Sequence, residues 1–235
     1  MKIAKSVRKA IDDLQLGDSE SAMLHACNAV DGTARRIYPL LGNKARFTRF
    51  LRESYEILAP MAMPGHDLHE TYFPVTVKQP GIPGGKADIA DIVYSIHRCC
   101  HGHGDELPDG FSLIRDVAGR KCLTRIAVTQ GQVRLSDRII PGLLAVVVFA
   151  PVNKKQARPE LNGYRLSYSG YRSTKKLIIN EWWGRARHFL AIVAQDPVIE
   201  IGGLDFTGMP VPPHKISLDQ SEEIRLLDLL NQTED

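Results

Sequence analysis

The residues best suited to chemistry lie close together near the middle of the chain, in residues 94–106. Three of the eight histidines, His97, His101 and His103, occur within seven residues, beside Arg98. A histidine titrates near neutral pH and can therefore accept or donate a proton. An arginine stays charged and presents a planar fork of donors that fits a phosphate or a carboxylate. The segment therefore indicates a site that combines proton transfer with anion binding.

A predicted helix over residues 87–100 positions this segment. Its apolar residues recur at the helical period and form one stripe: Ile89, Ile92, Val93, Ile96 and the pair Cys99 and Cys100. Asp91 and Tyr94 lie on the face of Arg98, so Asp91 is a candidate to orient the guanidinium, although a solvated surface acid is the commoner meaning of such a residue. Tyr94 is expected to pack on the helix face. Two glycines follow shortly after the stripe and predict the end of the helix.

The first third of the chain is predicted to be helical. Apolar spacing predicts three helices, over residues 3–16, 18–37 and 44–58. Asp18 or Ser19 can cap the second of them. Pro60 is expected to end the third, and the proline- and glycine-rich residues 59–86 are predicted to form a long loop.

The second half mixes strands with helices. The patterns predict short strands at 122–129, 132–136, 163–168, 175–180 and 198–201, and helices at 181–194 and 218–230. The first two strands are predicted to form a hairpin around Gln130-Gly131, and the uniformly apolar residues 140–150 fit either a buried helix or a buried strand. We therefore predict an α+β fold. It has an N-terminal α-helical domain, residues 1–115, and a smaller section of antiparallel strands and helices, residues 116–235, which either packs on the first as one unit or stands apart.

Composition indicates an ordinary soluble globular protein. The chain has 235 residues, of which 43% are hydrophobic and 24% charged, and its formal net charge of +3 is too small to predict nucleic-acid binding by itself. The longest apolar stretch, residues 139–152, is interrupted by Pro141 and Gly142 and is too short to span a bilayer. Four cysteines, two of them adjacent, and the lack of a recognisable signal peptide favour a reducing compartment. We therefore expect a cytoplasmic protein without a membrane partner.

Arg98 and His103 also carry a resemblance to a known family. An arginine, four intervening residues and a histidine, at the end of an apolar-striped helix in a helical region, resemble the Arg-x(4–6)-His motif of the HEPN family. A tyrosine four residues before the arginine, Tyr94, and a glycine-rich acidic turn after the histidine are similar too. The resemblance covers roughly residues 1–115. It implies an HEPN-like helical bundle and a homodimer in which the two motifs face each other across a cleft.

The resemblance implies a metal-independent endoribonuclease with the role of a toxin or an antiviral-defence factor. Arg98 would bind the phosphate and stabilise the transition state, and His103 would act as general acid or base. His101 is the alternative histidine, since it shares the helix face of Arg98 better. The 2′-hydroxyl of the RNA would attack, so neither a metal nor a cofactor is expected, and the products would be a 2′,3′-cyclic phosphate and a 5′-hydroxyl. An antitoxin or another regulatory protein is the expected partner besides RNA.

Three other interpretations of the same residues stay open. An HEPN-like domain can bind a nucleotide, RNA or a protein partner without cleaving anything. Arg98 and His103 can instead satisfy the terminal carbonyls of a helix. His97 and His101 have the spacing of a two-histidine metal pair, but no CxxC or HExxH pattern accompanies them, so no metal site is predicted. Further ligands of such a site would be Cys99, Cys100, His66 and His69.

The second section of the chain holds basic residues and tryptophans whose role the sequence leaves open. The basic residues are Arg165, Arg172, Lys175, Lys176, Arg185 and Arg187. They either converge on an RNA-binding surface or form a solvated face. Trp182 and Trp183 are expected to be one core residue and one surface residue, with stacking on a base as the alternative role.

Overall fold

The computed structural model describes residues 2–77, 80–81, 85–100, 106–116, 124–170, 174–196 and 202–208. Within these ranges, helices dominate the N-terminal half and two small antiparallel sheets lie toward the C-terminal side. The predicted α+β class is therefore confirmed, whereas the likeness of the bundle to HEPN domains stays a prediction. No helix in the described ranges is long and apolar enough to cross a bilayer.

The described N-terminal part begins with four helices: α1 (Ile3–Gln15), α2 (Ser19–Ile37), α3 (Asn43–Arg52) and α4 (Tyr55–Ala62). The first two match the prediction. Asp18 caps α2, since its Oδ1 accepts a hydrogen bond from the Ser21 amide at 2.9 Å. α1 packs along α2, so these helices form the first layer of the core.

The single helix predicted over residues 44–58 is wrong, because the chain turns at Glu53 and Ser54 and starts a new helix, α4. Pro60 lies inside α4 and does not end it. A proline within a helix removes one hydrogen bond, here to the carbonyl of Glu56. Glu56 lies on the exposed side of the helix, where water can bind that carbonyl.

The helix predicted over residues 87–100 is present but irregular. α5 (Ile89–Ile92) continues directly into a π-helix, Val93–Arg98, in which hydrogen bonds join residues five apart. Asp88 caps α5 by accepting a hydrogen bond from the Asp91 amide at 2.9 Å. The helix that carries Arg98 therefore begins at a capping carboxylate, widens into a π-helix and continues as α-helix at Cys99 and Cys100.

The described second half contains two hairpins and three helices: β1 (Ala127–Thr129), β2 (Gln132–Arg134), α6 (Ile139–Phe149), β3 (Arg165–Ser169), β4 (Thr174–Ile178), α7 (Ile179–Trp182) and α8 (Ala186–Val193). Short 3-10 helices lie at Pro151–Asn153, Pro159–Leu161 and Phe206–Gly208. β1 pairs with β2 around the predicted Gln130-Gly131 turn, and β3 pairs with β4. The single helix predicted over 181–194 is wrong: it starts earlier and breaks at Gly184, whose φ is +78°.

α6 is the element that the sequence left undecided, and it is a helix. All of its side chains except Pro141 are buried, because it packs between α2 and α4. Gly142 makes the approach to α4 possible, since a Cβ there would lie 2.7 Å from the Cβ of Ala62. The two predicted sections of the chain therefore share one core through α6, while a boundary near residue 115 stays a prediction.

Several predicted elements fall outside the described residues. They are the strand at 198–201, the C-terminal helix at 218–230 and the start of the strand at 122–129.

Candidate functional site around Arg98

Arg98 lies at the end of the π-helix, where α2 and α3 pack against it. Its Nη2 lies 3.8 Å from Oδ2 of Asp31 in α2, and its Cζ lies 5.5 Å from the ring centre of Tyr94. A distance of 3.8 Å is an ion pair without a hydrogen bond. The side chain is 24% exposed. Arg98 is therefore partly exposed to solvent, and within the protein its guanidinium contacts the carboxylate of Asp31 and the ring of Tyr94.

Asp31 is shared between two arginines. Its Oδ1 accepts hydrogen bonds from Nε and Nη2 of Arg46 at 3.2 and 3.0 Å, while its Oδ2 faces Arg98. Two cations thus surround one carboxylate and leave an excess of positive charge. Among the described residues, the Arg98 donors have no hydrogen-bond acceptor, so a phosphate or carboxylate of a ligand can take that place.

Tyr94 supports the guanidinium of Arg98. Its ring packs edge-to-face on Phe47, with the ring centres 5.3 Å apart. Burial raises the pKa of Tyr94, which keeps the hydroxyl neutral at physiological pH. The face of a neutral ring attracts a cation, and this contact limits the orientations open to Arg98.

Asp91, the residue predicted to orient Arg98, contacts Arg52 and the backbone of Gly81 instead. Its side chain is fully buried, with Oδ2 in an ion pair with Arg52 Nη2 at 2.9 Å and accepting a hydrogen bond from the Gly81 amide at 3.0 Å. The carboxylate beside Arg98 is Asp31, which comes from a different helix. The helical period relates residues within one helix and carries no information about the residues of a neighbouring helix.

Asp91 belongs to a buried polar network at the start of α5 that the sequence did not reveal. Asp88 is 2% exposed and accepts hydrogen bonds from Arg52 Nε and Nη2, at 2.7 and 2.9 Å, and from the Tyr55 hydroxyl at 2.8 Å. Burial raises the pKa of Asp91, whose Oδ1 has no hydrogen-bond partner within the described ranges. The network fixes the start of the helix that carries Arg98.

The three histidines near Arg98 separate into two groups. His97 is 0% exposed and faces the protein interior. His101 and His103 lie outside the described residues, so their roles stay predictions. In the part of the chain that the structure describes, no group of three or more His, Cys, Asp or Glu residues could hold a metal ion.

A buried cysteine lies close to the Arg98 cluster. Burial raises the pKa of Cys27 to about 12 and outweighs the opposite effect of the Arg98 charge. Cys27 is therefore a protonated thiol at neutral pH and behaves as a core residue. Cys99, which follows Arg98, is only partly buried.

A cavity of about 250 Å³ lies elsewhere, between the ends of α2 and α6, the turn from α3 to α4, and α8. Most of its lining is apolar, including Phe50, Ile57 and Leu190, and its charged lining residues are Glu53 and Glu56. The lining contains no arginine or histidine. The cavity therefore lacks the groups for the predicted chemistry, and the cluster around Arg98 is the better candidate.

The chain is similar to a family of known proteins. The model of the Rv1289 family matches residues 2–209. Uncharacterized proteins Mb1320 of Mycobacterium bovis, MT1327 of Mycobacterium tuberculosis strain CDC 1551 and Rv1289 of Mycobacterium tuberculosis strain H37Rv are each 41% identical to the chain over 206 residues. Each alignment covers 88% of this chain and 94% of the relative. No solved structure matches the chain significantly.

Proposed function

The chain belongs to the Rv1289 family, and we propose that it is a metal-independent endoribonuclease of the HEPN type. The observation that carries the proposal is the environment of Arg98. Its guanidinium is partly exposed and contacts the carboxylate of Asp31 and the ring of Tyr94, and Asp31 also pairs with Arg46. Such a guanidinium can bind an RNA phosphate through two parallel hydrogen bonds. The π-helix is a second support, since such turns occur frequently at functional sites.

In the proposed reaction, Arg98 binds the non-bridging oxygens of the scissile phosphate. The 2′-oxygen of the RNA attacks phosphorus, the bond to the 5′-oxygen breaks, and Arg98 stabilises the extra negative charge of the transition state. Asp31 and Tyr94 already restrict the guanidinium, so little ordering is needed when the phosphate binds. The products are a 2′,3′-cyclic phosphate and a 5′-hydroxyl.

A histidine moves the protons in this scheme. His103, or His101 in its place, takes the proton of the 2′-hydroxyl or donates one to the leaving 5′-oxygen, and water exchanges the other proton. His97 is unsuited because its ring is buried in the core. The homodimer, the toxin or antiviral-defence role and control by an antitoxin or regulatory protein are parts of the proposal that rest on the HEPN resemblance alone.

The test is cleavage of end-labelled RNA in excess EDTA. The wild-type protein should cut and leave cyclic phosphates, and Arg98→Ala should cut at least about 100-fold more slowly, the usual effect of removing a donor that stabilises transition-state charge. The matched control is Arg49→Ala, which removes an exposed arginine paired with Glu53 in α3 and should cut at the wild-type rate. His101→Ala and His103→Ala then identify the histidine.

Equal cleavage by wild type and Arg98→Ala would overturn the proposal, and so would cleavage that stops in EDTA. RNA that stays intact but binds in an Arg98-dependent way would favour the alternative, a non-catalytic HEPN-like binding module.

A further inference from the structure

Positive charge is concentrated in one stretch of the chain. Residues 151–190 carry nine basic and two acidic side chains, whereas the other 195 residues carry 21 basic and 25 acidic ones. The small net charge of +3 therefore conceals a strongly basic section and an acidic remainder. A local excess of this kind is the electrostatic feature of a surface that binds polyanions.

The fold brings parts of this basic section together. The Asn180 side chain in α7 accepts a hydrogen bond from the Arg158 amide at 3.1 Å and donates one to the Arg158 carbonyl at 2.8 Å. Gly184, just after α7, lies so close to Lys154 that a Cβ on the glycine would be 2.6 Å from the lysine Cβ. Lys154 and Arg158 therefore lie beside the corner between α7 and α8.

Asn153 joins the end of α2 to the segment that contains Lys154 and Arg158. Its Nδ2 donates hydrogen bonds to Thr33 Oγ1 and to the Val147 carbonyl, both at 2.9 Å. Its Oδ1 accepts a hydrogen bond from Arg36 Nη1 at 3.3 Å. Because Asn153 is fully buried, these contacts fix Arg36 beside Lys154.

Six exposed cations make up what we call the basic surface: Arg36, Lys154, Lys155, Arg158, Arg185 and Arg187. In the described structure, none of the six forms an ion pair with a carboxylate, whereas Arg46, Arg49, Arg52 and Arg98 all do. Their charge is therefore not neutralised within the described protein. These cations can therefore form ion pairs with an anionic partner.

An aromatic side chain lies at the edge of the basic surface. Trp182 is only partly buried, and its carbonyl accepts a hydrogen bond from the Arg185 amide at 3.1 Å, which holds the two residues in one tight turn. Trp183, its neighbour, is a core residue. A basic groove with an aromatic ring is typical of proteins that bind single-stranded nucleic acid, because phosphates pair with the cations and a base stacks on the ring.

α2 connects the basic surface to Arg98. Asp31, the carboxylate beside Arg98, precedes Arg36 by about 7.5 Å along the helix axis and by about 140° around it. Arg35 is exposed and lies one turn after Asp31 on the same helix face. We propose that the basic surface binds the sugar-phosphate backbone of single-stranded RNA whose scissile phosphate lies at Arg98. This inference rests on the proposed function for the identity of the polymer.

Fluorescence anisotropy with a labelled single-stranded RNA tests the inference. The RNA carries 2′-O-methyl groups, so the attacking hydroxyl is blocked and binding is measured without cleavage. The test variant is Lys154→Ala/Arg185→Ala/Arg187→Ala. The matched control, Lys5→Ala/Lys9→Ala/Arg134→Ala, removes the same charge from three exposed positions elsewhere.

The salt dependence gives the expected size of the effect. Each phosphate contact on a single strand adds about 0.7 to the slope of log K against log salt. The test variant should therefore lose about 2 from that slope and bind at least about tenfold more weakly at about 50 mM salt, while the control keeps the wild-type slope. Equal losses in both variants, or no binding by the wild type, would overturn the inference. Displacement of the RNA by phosphatidylserine vesicles at equal phosphate concentration would overturn it in favour of a membrane surface.

Failure of this inference is distinguishable from failure of the proposed function. If the protein binds RNA through the basic surface but cleaves none, the proposed function fails and the binding surface stands. If cleavage depends on Arg98 while kcat/KM is unchanged in Lys154→Ala/Arg185→Ala/Arg187→Ala, only the binding surface is overturned.

Discussion

Removal of the Asp88 carboxylate should destabilise the protein far more than removal of the Glu53 carboxylate, although each accepts a hydrogen bond from an arginine of α3 at nearly the same distance. Arg49 and Arg52 lie three residues apart in α3, and their Nε atoms donate to Glu53 at 2.8 Å and to Asp88 at 2.7 Å. The two contacts differ in burial, since the side chain of Glu53 is 50% exposed and that of Asp88 is 2% exposed. Asp88→Ala and Glu53→Ala therefore compare the same chemistry in two environments.

The contacts of Asp88 set the size of the effect. The substitution takes a partner from Arg52 and from the Tyr55 hydroxyl, and breaking a buried ion pair in this way costs about 3–5 kcal/mol. Loss of the helix cap adds about 1 kcal/mol. Arg52 keeps Asp91 at 2.9 Å, and Tyr55 still accepts a hydrogen bond from the Ala90 amide at 3.2 Å, which favours the lower end of the range. We expect the free energy of unfolding to fall by about 4 kcal/mol.

Urea unfolding followed by circular dichroism measures this loss. With a slope of about 3 kcal/mol per molar urea, the midpoint of Asp88→Ala should fall by about 1.3 M. Glu53→Ala should leave the midpoint nearly unchanged, because water screens an exposed ion pair. If Asp88→Ala lowers the midpoint no more than Glu53→Ala does, the network does not hold the start of α5 and the reasoning is refuted. Should Asp88→Ala fail to fold, Asp88→Asn keeps the oxygen acceptor and gives a milder form of the same comparison.

Two further predictions concern titratable groups in the core. Burial raises the pKa of Asp91, so the folded state holds this proton more tightly than the unfolded state does, and the free energy of unfolding should fall as pH rises from the ordinary carboxyl pKa through the raised one. Asp91→Asn should remove that part of the pH dependence of the urea midpoint, and a wild-type-to-variant difference that is constant with pH would contradict it. Burial raises the pKa of Cys27 to about 12, so iodoacetamide at about pH 8 should alkylate the partly exposed Cys99 and Cys100 well before Cys27. Mass spectrometry of the folded protein measures the order, and equal rates at all three cysteines would show that Cys27 is accessible.

Sequence patterns predict the elements that depend on near neighbours. The apolar spacing of α1 and α2 is visible in the residues themselves, and Asp18 is a good cap because its carboxylate reaches an amide three residues on. The β1–β2 hairpin follows from Gly131, whose φ of +78° suits a tight turn. In each case the deciding contacts lie within a few residues.

Elements that depend on distant contacts are not predictable in this way. α6 is apolar on all sides, so periodicity carries no signal, and only its position between α2 and α4 explains why it is helical and buried. The turn before Tyr55 contains neither glycine nor proline. It occurs where the Tyr55 hydroxyl reaches Asp88, 33 residues further along the chain.

In the candidate site, likewise, the sequence predicts Arg98 but not its partner from another helix. The spacing of Arg98 to nearby histidines singles it out in the sequence, and the structure places it at a partly exposed position. Its carboxylate partner, Asp31, lies in another helix far back in the chain, and no local rule pairs the two residues. Asp91 satisfies the helical period but is drawn into the core by Arg52.

The π-helix also determines which changes in chain length the segment tolerates. A π turn holds one residue more than an α turn, so Val93–Arg98 is a helix with one residue inserted. Since each residue of a regular α-helix turns by about 100°, deleting one residue there would rotate Arg98 by about that angle, away from Asp31. The cap at Asp88 would remain in place. An insertion or deletion in this segment would therefore separate Arg98 from Asp31 and also rotate the buried His97 out of its position, which no single substitution does.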